Sequence, residues 1–373
     1  MPLPYPLNAP LAHLPVYQPG RPITEVAREL NLPADSIIKL ASNENPLGPS
    51  RLALRAMRRA LPQTQWYPDG NAFHLKQKLA AKLGLTPEHL ILGNGSNEII
   101  EFLGHALLAP GAEVIVSQYC FAVYPIVTAL FGARLVTVPA RDFGHDPEAM
   151  LGAITPSTRL IFLANPNNPT GTVVAPEQLR HFIQHVPPRV VIALDEAYVE
   201  FLERPLDLLP GLAAGRHPNL IVMRTFSKIY GLAGLRLGYG IAHPELIAAL
   251  EKIRQPFNAN AVAQAGALAA LDDTRHVART QRLTQRGLRL FARACRQRNL
   301  EFVPSSANFM LIRVGDGARV FAALQQRGII VRPMGGYQLA EWIRVSIGTP
   351  RENRACLNAL AEVLASNRAS AAA

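Results

Sequence analysis

Residues 159–195 read RLIFLANPNNPTGTVVAPEQLRHFIQHVPPRVVIALD. The flanking runs RLIFLA (159–164) and VVIALD (190–195) are apolar at successive positions instead of alternating, as in strands buried on both faces. Between them lie an asparagine- and proline-rich turn and a helical pattern from Glu177 to His185. Similar runs recur as EVIVS (113–117), RLVTV (134–138), NLIVMR (219–224) and LGYGIA (237–242). Strands alternating with helices predict an α/β fold whose largely parallel sheet is covered by helices on both sides.

After a helix ending near Leu250 the style changes. An arginine-striped helix leads into FMLIRV (309–314), GIIVRP (328–333), WIRVSIG (342–348) and a final helix from Arg351 to Ser366. Strands and helices without strict alternation predict a smaller α+β domain. The expected division is an N-terminal arm over residues 1–40, with seven prolines before Pro33, a large domain over 41–260 and a small domain over 261–373. The tail from Ser366 to Ala373 is expected to fray.

The composition narrows the function classes. Of 373 residues, 49% are hydrophobic and 17% charged, which excludes disorder as the main state. Cys120, Cys295 and Cys356 are widely spaced and fit neither a disulfide framework nor a metal-ligand pattern, so a reducing, cytoplasmic setting is expected. The opening MPLPYPLNAP has neither the basic nor the apolar region of a secretory signal. The uncharged run from Val114 to Ala133 is interrupted by Ser117, Gln118, Pro125 and Gly132, and reads as strand, loop and helix instead of a membrane span. His181 and His185, four apart, lack a third ligand, so no metal site is expected, and no GxSxG, GxxxxGK[ST] or paired CxxC motif occurs.

The net charge of +11 is strongly localised. Eight arginines and no acidic residue stand between Arg275 and Arg298, leaving +3 for the rest of the chain. Seven of them, from Arg275 to Arg296, alternate spacings of four and three and so share one helical face. No aromatic residues interleave to stack bases, while Leu283, Leu288, Leu290 and Phe291 give the helix something to pack. The stripe is read as a solvated face, with nucleic-acid binding as the rival from another class.

In a parallel sheet, functional groups gather beyond the carboxyl ends of the strands. Asn168 follows RLIFLA, Asp195 ends VVIALD and Lys228 follows NLIVMR. The turn Gly93–Asn94–Gly95–Ser96 opens a helical run from Asn97 to Leu108, whose N-terminus favours an anion. Thr225, Ser227, Lys228 and Arg236 add hydroxyls and cations suited to phosphate. A phosphate site, a lysine able to form an imine and an aspartate able to pair with a pyridinium nitrogen are the parts a pyridoxal-phosphate enzyme needs.

The motifs SNENPLGP (42–49), YPDG (67–70), NGSNEII (94–100), NPNNPTG (165–171), DEAYVEF (195–201), RTFSKIYGLAGLRLGY (224–239), QPFNAN (255–260), SSANF (305–309), GIIVRPM (328–334) and IRVSIGT (343–349) occur in consistent order. Together they resemble the aminotransferases of the aspartate-aminotransferase fold (fold type I), and within them the histidinol-phosphate aminotransferases. The resemblance implies pyridoxal 5'-phosphate bound to Lys228, which then moves the proton between Cα and C4′. It implies that Asp195 keeps the pyridine nitrogen protonated and that Asn168 and Tyr198 hydrogen-bond the phenolic oxygen. Ser96, Asn97, Thr225, Ser227 and Arg236 would surround the phosphate, with Asn97 standing where the family usually has Asp. The stacking ring would be Phe121 in QYCFAVY (118–124), with Tyr119 as the competing choice.

Tyr67 resembles the tyrosine that reaches the neighbouring subunit's phosphate, which implies a homodimer with shared active sites. Arg344 resembles the carboxylate-binding arginine, Arg332 the second cation, and Tyr17 and Asn45 closing contacts from the arm. The implied reaction is ping-pong transfer of an amino group from glutamate to imidazole-acetol phosphate, giving histidinol phosphate and 2-oxoglutarate in histidine biosynthesis. An aromatic-amino-acid aminotransferase and a decarboxylase of phosphorylated amino acids are the alternatives that share most of these motifs.

Overall fold

A computed structural model describes residues 5, 9–12, 14, 16 and 20–372. Its strands, in chain order, are β1 Ile38–Lys39, β2 Leu90–Gly93, β3 Glu113–Ser117, β4 Arg134–Val138, β5 Thr158–Ala164, β6 Val191–Asp195, β7 Leu220–Thr225, β8 Gly238–Ala242, β9 Phe302–Val303, β10 Phe309–Arg313, β11 Ile329–Ile330, β12 Arg332–Pro333 and β13 Trp342–Ser346.

Seven of these form one sheet in the order β2-β8-β7-β6-β5-β3-β4. The five strands from β7 to β4 pair in parallel, as expected of runs joined by helical crossovers. LGYGIA is a strand, β8, but it runs antiparallel to both β7 and β2. Its glycines are a packing requirement: a Cβ on Gly238 would fall onto the backbone N of Ser96, and one on Gly240 would meet Ile221 and Ile91 at 3.1 Å. RLVTV does not follow the doubly buried pattern. As β4 it is the sheet edge, and Arg134, Leu135 and Thr137 are exposed. A run of β-branched residues marks a strand without telling whether a second neighbour covers it.

Separate clusters of buried side chains cover the two faces of the sheet, one including Leu163, Phe182, Leu194 and Val222, the other Ile100, Val116, Tyr124 and Phe162. The crossover helix Pro176–His185 starts at Pro176 and buries Leu179, Phe182 and Ile183 on the sheet. Among the described residues, no helix is long and apolar enough to cross a membrane.

The second, antiparallel sheet has the order β12-β13-β10-β9. It packs with the helices Thr274–Gln297 and Pro350–Ala372 through Phe291, Cys295, Ile312, Val345 and Leu360. In the first of these helices Thr280, Thr284, Gly287, Phe291, Ala294 and Cys295 face inward, and the seven striped arginines are exposed. The second continues through Ala372, past the frayed tail expected from Ser366 onward; its alanines are strong helix formers.

The chain around residues 38–40, where the expected arm ends, is stitched to this second body. β1 pairs in parallel with β11, Leu40 N donates to Ile330 O at 2.7 Å, and Ser346 N donates to Leu40 O at 2.8 Å. Residues 41–45 are thereby drawn between the two sheets.

Candidate active site

The carboxyl ends of β5, β6 and β7 open into a cleft of about 250 Å³. Asn168, Asp195, Tyr198, Thr225, Ser227 and Lys228 line it from the large sheet, and Arg332 and Arg344 from the small one. Ser96, Asn97, Phe121 and Arg236 complete the group foreseen from sequence.

The loop after β5 is braced from within. Asn165 Oδ1 accepts from Val174 N at 2.9 Å, Gly171 N donates to Asn167 O at 2.8 Å, and Asn167 Nδ2 donates to Tyr119 O at 2.7 Å. Both Asn165–Pro166 and Asn168–Pro169 peptides are cis. Asn168 is left at the cleft, where its Oδ1 accepts from Arg344 Nη1 at 2.5 Å. Arg344 Nη2 donates to Ala41 O at 3.0 Å, so this guanidinium joins the large-sheet loop, the 41–45 segment and β13.

Asp195 is 6% exposed. Its Oδ1 accepts from Ala197 N at 3.0 Å and its Oδ2 from the Tyr124 hydroxyl at 2.7 Å. Burial pushes its carboxyl above the ordinary range, opposed by the Tyr124 and Ala197 donors and by the charge of Lys228. Lys228 Nζ donates to Ser42 O at 3.3 Å and lies 5.6 Å from the centre of the Tyr198 ring. Burial lifts the Tyr198 phenol to about 12, against the pull of Arg344 and of a hydrogen bond from Asn43.

At the other end of the cleft the helix Ser96–Leu107 begins, preceded by Gly95 at φ 76°. A Cβ on Gly95 would fall onto Arg236 Nη2, so only glycine lets that guanidinium lie against the helix start. Arg236 Nη1 reaches Ser227 Oγ at 3.3 Å, and Thr225 Oγ1 accepts from Ser227 N at 3.1 Å. Helix N-terminus, guanidinium and hydroxyls form one cradle for an anion.

Three foreseen residues stand outside the lining of this cleft. Asn45 is a brace: its Nδ2 donates to Ile229 O at 2.8 Å and Thr280 Oγ1 at 3.1 Å, which turns the amide away from the cleft. Tyr119 stacks on Phe143 with centroids 5.9 Å apart, and only Phe121 of that pair lines the cleft. Tyr67 is 81% exposed and stacks on Phe257 at 4.7 Å, outside the cleft of its own chain. Tyr17 lies outside the described residues.

Sequence reasoning missed Tyr124 and Asn43. Tyr124 is wholly buried, stacks on Phe162 at 4.4 Å and holds Asp195. The available signal was its place three residues after Phe121, with Tyr124 N donating to Phe121 O at 3.0 Å, which puts both rings on one turn. Asn43 stood inside SNENPLGP, with nothing local to tell it from its neighbours.

A family model for aminotransferase class I and II matches residues 35–360. The chain belongs to the class I and II aminotransferases. Among the relatives of this aminotransferase, histidinol-phosphate aminotransferase 2 of Ralstonia nicotianae is 54% identical over 360 residues, covering 95% of this chain and 96% of that one. Histidinol-phosphate aminotransferase of Akkermansia muciniphila is 49% identical, covering 96% of this chain and 98% of the other. Among solved structures, histidinol-phosphate aminotransferase from Sinorhizobium meliloti, in complex with pyridoxal-5'-phosphate, superposes with a TM-score of 0.87. It is 31% identical and covers 96% of this chain and 98% of its own. The aspartate aminotransferase of Thermus thermophilus with maleate, 24% identical, shares the fold with a TM-score of 0.82, covering 96% of this chain and all of its own.

Proposed function

We propose that this aminotransferase uses pyridoxal 5'-phosphate to move an amino group from glutamate to imidazole-acetol phosphate, giving histidinol phosphate and 2-oxoglutarate. The observation that carries the reading is the meeting of Lys228, Asp195 and the Ser96–Arg236 anion cradle in one cleft, with Arg332 and Arg344 across it. The two arginines are register partners on adjacent strands, so two anionic groups of one substrate have two neighbouring guanidiniums. Identity near 50% to named histidinol-phosphate aminotransferases supports the choice of substrate.

The residues fit the cofactor. The cradle at the start of the helix Ser96–Leu107 suits its phosphate, with Gly95 keeping Arg236 in place. The buried Asp195 carboxylate suits its ring nitrogen, and Phe121 offers a face for the ring. When bound, pyridoxal phosphate supplies an electron sink that makes the substrate Cα–H acidic. Lys228 Nζ would hold the cofactor, and once the substrate amine takes its place the freed Nζ would accept the substrate's Cα proton and later give it back. Asp195 keeps a proton on the ring nitrogen; Tyr198 and Asn168 bind the phenolic oxygen; Thr225, Ser227, Ser96 and Asn97 bind the phosphate. Arg344, which donates to Asn168 Oδ1, would bind the substrate carboxylate.

The reading includes a cytoplasmic homodimer with shared sites, built on an arm (1–40), a large domain (41–260) and a small domain (261–373). The exposed Tyr67, beside the exposed Trp66 and Phe257, supports a partner covering this surface and Tyr67 entering the neighbour's phosphate site.

The test is an absorption spectrum of the cofactor-loaded protein. Glutamate is expected to bleach the visible band, and imidazole-acetol phosphate to restore it faster than phenylpyruvate. Faster recovery with phenylpyruvate would assign an aromatic-amino-acid aminotransferase instead. A smaller effect is expected of Tyr124→Phe. Losing a hydrogen bond to the Asp195 carboxylate costs about 1.5–3 kcal/mol, so kcat should fall roughly tenfold or more. Because that bond favours the charged form, its loss raises the proton affinity of Asp195, and the acid limb of the pH–rate profile should move to higher pH. An unmoved limb with unchanged kcat would remove Tyr124 from the site.

A further inference from the structure

Asn43 is 1% exposed, has a left-handed backbone with φ 56°, and sits between Tyr198 and the small sheet. Its backbone N donates to Ser346 Oγ at 2.8 Å, and its carbonyl accepts from Asn308 Nδ2 at 3.0 Å. Ser346 Oγ donates to Asn43 Oδ1 at 2.9 Å, and Asn43 Nδ2 donates to the Tyr198 hydroxyl at 2.9 Å.

The proton inventory leaves one arrangement. Ser346 Oγ accepts the Asn43 N–H, and among the described hydrogen bonds its single proton has Asn43 Oδ1 as its acceptor, so turning the amide over would leave that buried proton without a partner. The oxygen end of the amide is thus turned to Ser346 and the NH₂ end to Tyr198. An NH₂ group only donates, so the phenol oxygen accepts there and its own proton must point elsewhere. Tyr198 lines the cleft, and none of the described hydrogen bonds takes its proton elsewhere, which leaves the cleft as the direction open to it. The charged groups facing Tyr198 are Asp195 at the end of β6, Lys228 after β7 and Arg344 on β13. Burial keeps the phenol protonated throughout the neutral range, so it stays a donor.

We propose that Asn43 is a positioning residue that makes Tyr198 a hydrogen-bond donor into the cofactor cleft, with Ser346 holding the Asn43 amide in the orientation this needs. The proposal rests on the reading that Tyr198 meets the cofactor's phenolic oxygen. It also ties that contact to β13, the strand that carries Arg344 two residues before Ser346.

The experiment titrates the absorption band of the cofactor-loaded enzyme against pH. Donation to the phenolic oxygen stabilises its anion and lowers the proton affinity of the neighbouring imine nitrogen, so losing it raises the midpoint. Tyr198→Phe removes the hydroxyl. Asn43→Asp keeps the size and the tolerance of positive φ, but offers Tyr198 an acceptor and turns its proton away from the cleft. Each is expected to raise the midpoint by about one unit. The double variant should go no higher than Tyr198→Phe alone, since both act through one hydroxyl. Ser346→Ala, which frees the amide to turn over, should raise the midpoint by less, and it carries the test if Asn43→Asp does not fold.

A shift from Asn43→Asp that persists in full in the Tyr198→Phe background would mean that charge acts through space, and overturns the proposal. A shift from Tyr198→Phe with none from Asn43→Asp or Ser346→Ala overturns the role of Asn43 and leaves the reading of Tyr198 standing. No shift from Tyr198→Phe removes that reading and the proposal with it.

Discussion

Lys228→Ala is expected to lower transamination at least about 10⁴-fold, the upper range for a single positioned acid–base group, because cofactor attachment is lost with it. The proposed function gives this lysine both tasks. It follows β7 at the carboxyl edge of the sheet, its Nζ lies over the Tyr198 ring and against Ser42 O, and its charge is felt at Asp195. Little of the fold rests on this side chain, since the turn that carries it is held by Ser227 N to Thr225 Oγ1 and Leu232 N to Phe226 O. The variant should melt within a few degrees of the parent and keep its circular dichroism. Single-turnover reaction with glutamate gives the rate, and turnover within tenfold of the parent would refute the role of Lys228.

Asp195→Asn should separate rate from stability. Removing the charge opposite the ring nitrogen is comparable to removing a preorganised electrostatic group, about 2.7–4 kcal/mol, so proton removal from Cα should slow roughly 10²–10³-fold. The fold should respond the other way. Burial raises the folded-state pKa of Asp195, so its ionisation opposes folding as pH rises above the unfolded value. A neutral amide removes that penalty and can still accept from Ala197 N. Without cofactor at neutral pH, the variant should therefore melt no lower than the parent. An unchanged rate of Cα proton loss, followed by deuterium exchange from labelled glutamate, would remove the electron-sink argument; a fall in stability as large as the fall in rate would make Asp195 a structural residue.

Asp195 and Lys228 are legible in the amino-acid sequence alone, and for one reason. Asp195 ends one run of consecutive apolar residues and Lys228 follows shortly after another, and in a parallel sheet such positions converge at the carboxyl ends of the strands whatever the details of packing. Asn168 and Ser96 follow the same logic, whereas Arg236 stands before the amino end of the antiparallel β8 and was legible through its motif. The α/β class, the change of style after Leu250 and the exposed arginine face were readable because periodicity and composition are local properties of the chain.

The remaining features depend on partners far away in sequence. Tyr124 meets Asp195 across 71 positions, Asn43 meets Tyr198 across 155 and Ser346 across 303. Asn43 and Asn45 sit two residues apart in one motif, yet one amide is directed to the cleft tyrosine and the other to Thr280 on a helix behind it. The edge position of β4, the reversed direction of β8 and the choice of Phe121 over Tyr119 likewise depend on neighbours. Burial runs and strand ends were therefore settled by the order of residues along the chain. Which hydroxyl donates, which amide braces and which ring faces the cleft were settled by packing, since a hydrogen bond is directional and its second partner leaves no local trace.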